Sequence, residues 1–169
     1  GREVPIEEYD SLYLQFNPVD FDADEWVSVA KAAGMKYIVL TTKHHDGFCL
    51  WETGETEYNI MNTPFGRDVV KELSEACKEA GIAFGTYYSS CDWYHPAFPA
   101  GGQGGKTRKP NPDLAVYDEY LRKQTTELIT NYGPLLTMWF DVPQDYSEEY
   151  GIPMVNMLRM ETQRRSEIA

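Results

Sequence analysis

The sequence predicts an α/β fold in which about three parallel strands alternate with helices. Three observations carry this. Three short, nearly all-apolar segments (residues 34–46, 81–93 and 132–143) each open at or beside a glycine and close in polar or aromatic residues. Helix-period patterns lie between them, which is the order expected of a parallel sheet with right-handed crossovers. The polar residues also gather at one end: Lys43, His44, His45 and Asp46 close the first segment, Ser89, Ser90 and Asp92 the second, and Asp141 the third. Sites in barrels and open parallel sheets sit at the C-terminal ends of strands, so this convergence points to a site without any motif.

The elements follow in order. Asp22 with Glu25 is a helix N-terminal signature ahead of EWVSVAKAAG. Gly34, Gly81 and Gly133 are placed to end helices in the left-handed conformation, after which β-formers run on. Each run is apolar throughout, as a strand buried on both faces should be. Asp68 opens a second helix whose stripe is Val69, Leu73, Ala76, Cys77 and Ala80. Asn111-Pro112 starts a third, with proline in its first turn and Leu114, Tyr117, Leu121 and Leu128 on its buried face. A last helix is expected over 147–160, interrupted near Pro153. The loop at 95–112 is rich in Gly and Pro and reads as mobile or lid-like, and the loop at 51–64 is also long.

Composition narrows the function classes. The 169 residues suffice for one domain with a real core, and the net charge of -12 argues against nucleic acid and anionic membrane surfaces as partners. Acidity names no substrate, since a solvated acidic surface explains it equally. Cys49, Cys77 and Cys91 have neither metal-type nor disulfide-framework spacing, and no run approaches a membrane span. The chain opens with Gly1-Arg2-Glu3, without an initiator Met or a signal-peptide pattern. The expectation is a removed leader or a piece of something longer.

The site residues allow several chemistries. Asp141 ends a buried strand and is either a loop cap or a nucleophile or general base. Strand alternation puts Trp139 on its face, so that an aromatic plane stands beside a carboxylate, as suits a glycosidase. His44 and His45 reach one place only if the chain turns, and Asp46-Gly47 supplies a turn. They read as structural, as metal ligands needing Asp92 or Asp141 to complete a set, or as hydroxyl-recognising imidazoles. One of Tyr87 and Tyr88 should face a ligand. Trp93, Tyr94 and Phe98 form either an outer platform or loop packing. GGQGG has no strand-to-helix context, and no GxSxG is present.

The blocks FNPVDFDADEWVSVAKAAGMKYIVLTTKHHDGFCLWET, RDVVKELSEACKEAGIAFGTYYS and WFD, in this order over roughly residues 9–146, resemble the α-L-fucosidases of glycoside hydrolase family 29. The resemblance implies a catalytic domain on a (β/α)8-like, TIM-type barrel. It also implies retaining hydrolysis of terminal α-L-fucose from fucosylated oligosaccharides or glycoconjugates, with no metal and no cofactor. It makes Asp141 the nucleophile, His44 and His45 the holders of fucose hydroxyls, and Trp139 a wall of the pocket. Tyr88, in preference to Tyr87, is the tyrosine near the reacting centre. Trp51 and Trp93 are expected at an outer subsite. The parent enzyme would be periplasmic, secreted or lysosomal.

Departures from the family pattern shape the rest of the reading. Val142 stands where the family often has Gly, and neither the family's HWG-type motif nor its Glu-Trp pair is found before Tyr9. The family's general acid/base lies beyond the nucleophile. Glu148, Glu149, Glu161 and Glu167 lack a family-like context, so the acid/base has no assigned residue. Residues 1–169 are therefore expected to be an incomplete barrel domain, without its first and later strands, that self-associates through open sheet edges. Two other readings stand beside the fucosidase: a non-catalytic fucose-binding or structural remnant, and a metal-dependent barrel hydrolase.

Overall fold

The computed structural model of the chain describes residues 4–102 and 105–141. Helix α1 (Ile6–Ser11) and a 3-10 turn lead into α2 (Ala23–Ala32) and strand β1 (Tyr37–Lys43). Helix α3 (Val69–Ala80) precedes β2 (Ala83–Ser89). A two-residue hairpin, β3 (Ala100–Gly101) with β4 (Thr107–Arg108), is followed by α4 (Leu114–Asn131) and β5 (Met138–Asp141). Strands β1, β2 and β5 form one parallel sheet in that order. The alternation of strand and helix is as the sequence predicts. The α1 segment and the hairpin inside the Gly-rich loop are additions to it, and the helix expected over 147–160 lies outside the described residues.

The helix starts are set by short polar side chains. Asp22 accepts from the Glu25 amide at 2.9 Å, and Asp68 accepts from the Lys71 amide at 2.8 Å. Asp113, not Pro112, caps α4 by accepting from the Ala115 and Val116 amides, so the proline lies before the cap. Gly34 and Gly81 take φ of 79° and 71°, in the left-handed region that ends a helix. Gly133 does not share that geometry; it precedes a cis bond to Pro134.

Among the described residues, one face of the sheet is packed and the other is open. Ile38, Leu40, Phe84, Tyr88, Met138 and Phe140 join Leu73, Cys77, Leu121 and Leu128 of α3 and α4 in one hydrophobic core. On the opposite face Tyr37 is 56% and Trp139 58% exposed. Among the described residues, β2 is the sheet strand buried nearly throughout, because it is the one with a described strand on each side; β1 and β5 are half-exposed. The expectation of strands buried on both faces thus holds for the central strand alone.

A buried ion pair ties together the two turns that carry the candidate site. A register shift between Thr41 and Lys43 sets Lys43 opposite Tyr88, on the helix side of the sheet. There its Nζ lies 3.1 Å from Asp92 Oδ2, with both side chains essentially without solvent exposure. The ammonium sits 4.5, 5.3 and 5.8 Å from the ring centres of Tyr88, Tyr120 and Tyr117. These aromatic faces offer a cation partial compensation for lost water. Asp92 Oδ1 accepts from the amides of Tyr94 and His95 at 3.0 and 2.8 Å, holding the turn after β2.

Gly47, at φ 87°, lies so close that a Cβ there would meet Asp92 Oδ1 at 2.3 Å. Only glycine lets the turn after β1 rest on this carboxylate. The Trp93 amide donates to the His45 carbonyl at 2.8 Å, a second clamp between the same turns. Asp92→Ala is expected to destabilise the fold by about 3–5 kcal/mol, the scale for stranding one member of a buried pair. Urea denaturation of both proteins checks this; a loss below about 1 kcal/mol, the range of surface pairs, contradicts it.

Candidate functional site

The open face of the sheet carries the candidate residues at its C-terminal end. Register pairs Ser89 with Asp141 and Tyr87 with Trp139, so all four project from the same face. The Tyr87 hydroxyl donates to Asp141 Oδ2 at 2.5 Å. The Trp139 ring meets Tyr87 edge-on, with centroids 5.5 Å apart. His44 stacks on Tyr87 at 5.7 Å with ring planes 12° apart, and the His44 and His45 ring centres lie 4.0 Å apart. The turn closed by the Gly47 amide and the His44 carbonyl brings both imidazoles to one side. Simple strand alternation would have sent them to opposite faces.

His45 is held from behind. Its Nδ1 lies 2.5 Å from Ser89 Oγ, and its ring lies 5.4 Å from Trp93. An arc of side chains results, running Asp141, Tyr87, His44, His45, Trp93. Next to it a cleft of about 370 Å³ opens among Tyr9, Asp10, Asp46, Trp93 and Tyr94.

Burial shapes the protonation of this region. Burial first, and then the hydrogen bond to Asp141, pushes the Tyr87 phenol well above its ordinary range, so it remains a proton donor toward the carboxylate. Burial raises the Asp46 carboxyl, and His44 partly opposes that shift. Among the described residues no group of three or more His, Cys, Asp or Glu side chains is arranged to hold a metal ion, so His44, His45 and Asp141 do not form the metal set weighed above.

Two expected site residues are placed elsewhere. Tyr88 is fully buried on the helix side and donates to Gln124 Oε1 at 2.7 Å, while Tyr87 takes the position beside Asp141. The cause is register: with Ser89 opposite Asp141, the odd-numbered residues of β2 share the carboxylate's face. Trp51, expected at an outer subsite, is 0% exposed and donates through Nε1 to Glu127 Oε2 at 2.9 Å. The loop after β1 folds back, with the Ile60 amide on the Cys49 carbonyl, and carries this indole into the core. Trp93 does line the cleft. Ser89 was visible only as a polar strand end. Tyr9 and Asp10 carried no sequence signal, since they reach the site from a distant segment.

Comparisons with known proteins bear on the family and the fold. The family model described as alpha-L-fucosidase matches residues 5–167. An α-L-fucosidase of Dictyostelium discoideum is 38% identical over 135 residues, covering 79% of this chain and 28% of that protein. Alpha-L-fucosidase 1 of Arabidopsis thaliana is 40% identical over 129 residues, covering 75% of this chain and 23% of its own length. The chain therefore spans about a quarter of these relatives.

Among solved structures, α-L-fucosidase isoenzyme 1 from Paenibacillus thiaminolyticus superposes with a TM-score of 0.80 at 41% identity, covering 93% of this chain and 40% of that one. An α-L-fucosidase from Lactobacillus casei in complex with α-L-fucose product gives 0.81 at 37%, covering 96% and 55%. A shared catalytic-domain fold and a family match over nearly the whole length lead to one conclusion: this chain belongs to the α-L-fucosidases, glycoside hydrolase family 29.

Proposed function

We propose that the chain forms the nucleophile-bearing arc of a (β/α)8-type barrel that hydrolyses terminal α-L-fucose with retention of configuration. The observation that carries this is the Tyr87–Asp141 hydrogen bond, set beside both imidazoles at the C-terminal end of the parallel sheet. A fucose product in the related L. casei structure supports the choice of sugar. In this reading Asp141 attacks the anomeric carbon. The bond from that carbon to Asp141 forms as the bond to the leaving oxygen breaks, and water later releases fucose.

Tyr87 holds the carboxylate in place and hydrogen-bonds its charged form. His44 and His45 meet fucose hydroxyls, and Trp139 covers an apolar side of the ring. The cleft lined by Trp93, Tyr94 and Asp46 receives the remainder of the glycan. The leaving oxygen takes its proton from a second carboxyl group that no described residue supplies in this scheme. Retaining enzymes place that group about 5–5.5 Å from the nucleophile.

The test is covalent trapping. Incubation with 2-deoxy-2-fluoro-fucosyl fluoride, followed by intact-mass measurement and peptide mapping, is expected to show one fucosyl-sized adduct on Asp141. Asp141→Asn should retain its far-UV circular dichroism and take up no label. A folded wild-type chain that stays unlabelled would point instead to a fucose-binding or structural role. His45→Ala is expected to weaken L-fucose binding by about 1–3 kcal/mol, the scale for leaving a buried polar partner unsatisfied. Equal affinities in calorimetry would remove His45 from the sugar.

The open sheet face bears on assembly as well. Exposed Tyr37 and Trp139, with β1 and β5 outermost among the described strands, favour self-association of the chain in isolation. Light scattering at micromolar concentration is expected to exceed the monomer mass. A sharp monomer peak with a cooperative melt would contradict it.

A further inference from the structure

We infer that Ser89 is a positioning residue: it fixes the proton of His45 on Nδ1 and so makes Nε2 the atom that accepts a hydrogen bond from a sugar hydroxyl. A neutral imidazole has one donor and one acceptor nitrogen, and the partner of one decides the role of the other. The partner here is fully buried Ser89, whose Oγ makes three contacts. It donates to the Cys91 carbonyl at 2.9 Å, accepts from the Cys91 amide at 3.1 Å, and meets His45 Nδ1 at 2.5 Å.

A serine hydroxyl has one proton and two lone pairs. The Cys91 carbonyl can only accept, and its 2.9 Å distance is that of a hydrogen bond, so we assign the hydroxyl's own proton to that contact. The amide takes one lone pair. The remaining lone pair faces His45, so the proton on that line belongs to Nδ1. This is the tautomer that an imidazole in water disfavours, and burial of Ser89 between the two turns is what selects it.

The tautomer sets what the site recognises. With Nδ1 protonated, the neutral ring is an acceptor through Nε2. It then selects a hydroxyl that donates, and discriminates against a fluorine or an ether oxygen at the same position, neither of which has a proton to give. This second half rests on the fucose reading above; the first half does not.

The deciding experiment is long-range ¹H–¹⁵N correlation NMR of the histidine-labelled 169-residue chain at a pH where its imidazoles are neutral. Three histidines make assignment by His44→Gln and His45→Gln direct. The expected spectrum shows His45 with a pyrrole-type Nδ1 and a pyridine-type Nε2. Ser89→Ala should convert it to the Nε2-protonated form, and Ser89→Thr, which keeps the hydroxyl, should retain the wild-type pattern. An Nε2-protonated His45 in wild type overturns the inference. If Ser89→Ala does not fold, the wild-type and Ser89→Thr spectra still decide it.

For the sugar, titration with L-fucose and its monofluorinated analogues is expected to show one position where fluorine weakens binding by about tenfold, the scale of one net hydrogen bond. That loss should vanish in His45→Ala. A series with unchanged affinities overturns the sugar-facing half. If L-fucose itself does not bind, the functional reading fails while the NMR result stands.

Discussion

Lys43 and Asp92 form an ion pair with essentially no solvent exposure, and the geometry of the site depends on it. Two charges taken out of water recover the loss only if their remaining hydrogen-bonding capacity is met. Here Asp92 is met by two backbone amides and by the Tyr120 hydroxyl at 3.4 Å, and Lys43 by three tyrosine rings. Such a pair contributes little net stability relative to an apolar packing of the same volume. It does join specific points of the chain. One carboxylate ends up holding the C-terminal turns of two neighbouring strands, and Gly47 is required because there is no room for a Cβ against it.

This explains why the Lys43-His44-His45-Asp46-Gly47 run is a unit. Lys43 and Gly47 face the ion pair and set the shape of the turn, while the two histidines face the open side of the sheet. The register shift after Thr41 lets Lys43 point to the helices while the next residues begin the turn. Polar groups of opposite purpose thus sit within five residues. A structural charge points inward, and the imidazoles point toward the carboxylate's face.

The chemistry follows from the arrangement. A strand-end carboxylate that takes a phenol hydrogen bond is stabilised as the anion and held in one orientation, which suits the nucleophilic role proposed for Asp141. The aromatic residues around it, Tyr87, Trp139 and Trp93, provide flat apolar faces next to polar groups, which is how a sugar ring presents itself. Burial keeps the Tyr87 phenol protonated, so this donor persists across the ordinary pH range. The positioning of His45 by Ser89 extends the same design by one layer: a fully buried hydroxyl decides how a half-buried ring hydrogen-bonds.

Much of this was legible in the amino-acid order, because it depends on local rules. Strand-helix alternation, the Asp22 and Asp68 caps, and the Gly34 and Gly81 helix ends all follow from residues a few positions apart. So does the gathering of His44, His45 and Asp141 at strand C-termini, and the sharing of one face by Trp139 and Asp141.

Pairing across the sheet was not legible. Period-2 alternation separates Tyr87 from Tyr88, yet which of them meets Asp141 depends on register against a strand 54 residues away, and that register chose Tyr87. Trp51 looked like a loop aromatic because nothing nearby shows that its loop folds back onto Glu127, 76 positions on. The sequence by itself determined which residues stand at the ends of strands. Only the tertiary structure decided which way they face, because facing is set by contacts between distant segments and by the buried Lys43–Asp92 pair that joins the two turns.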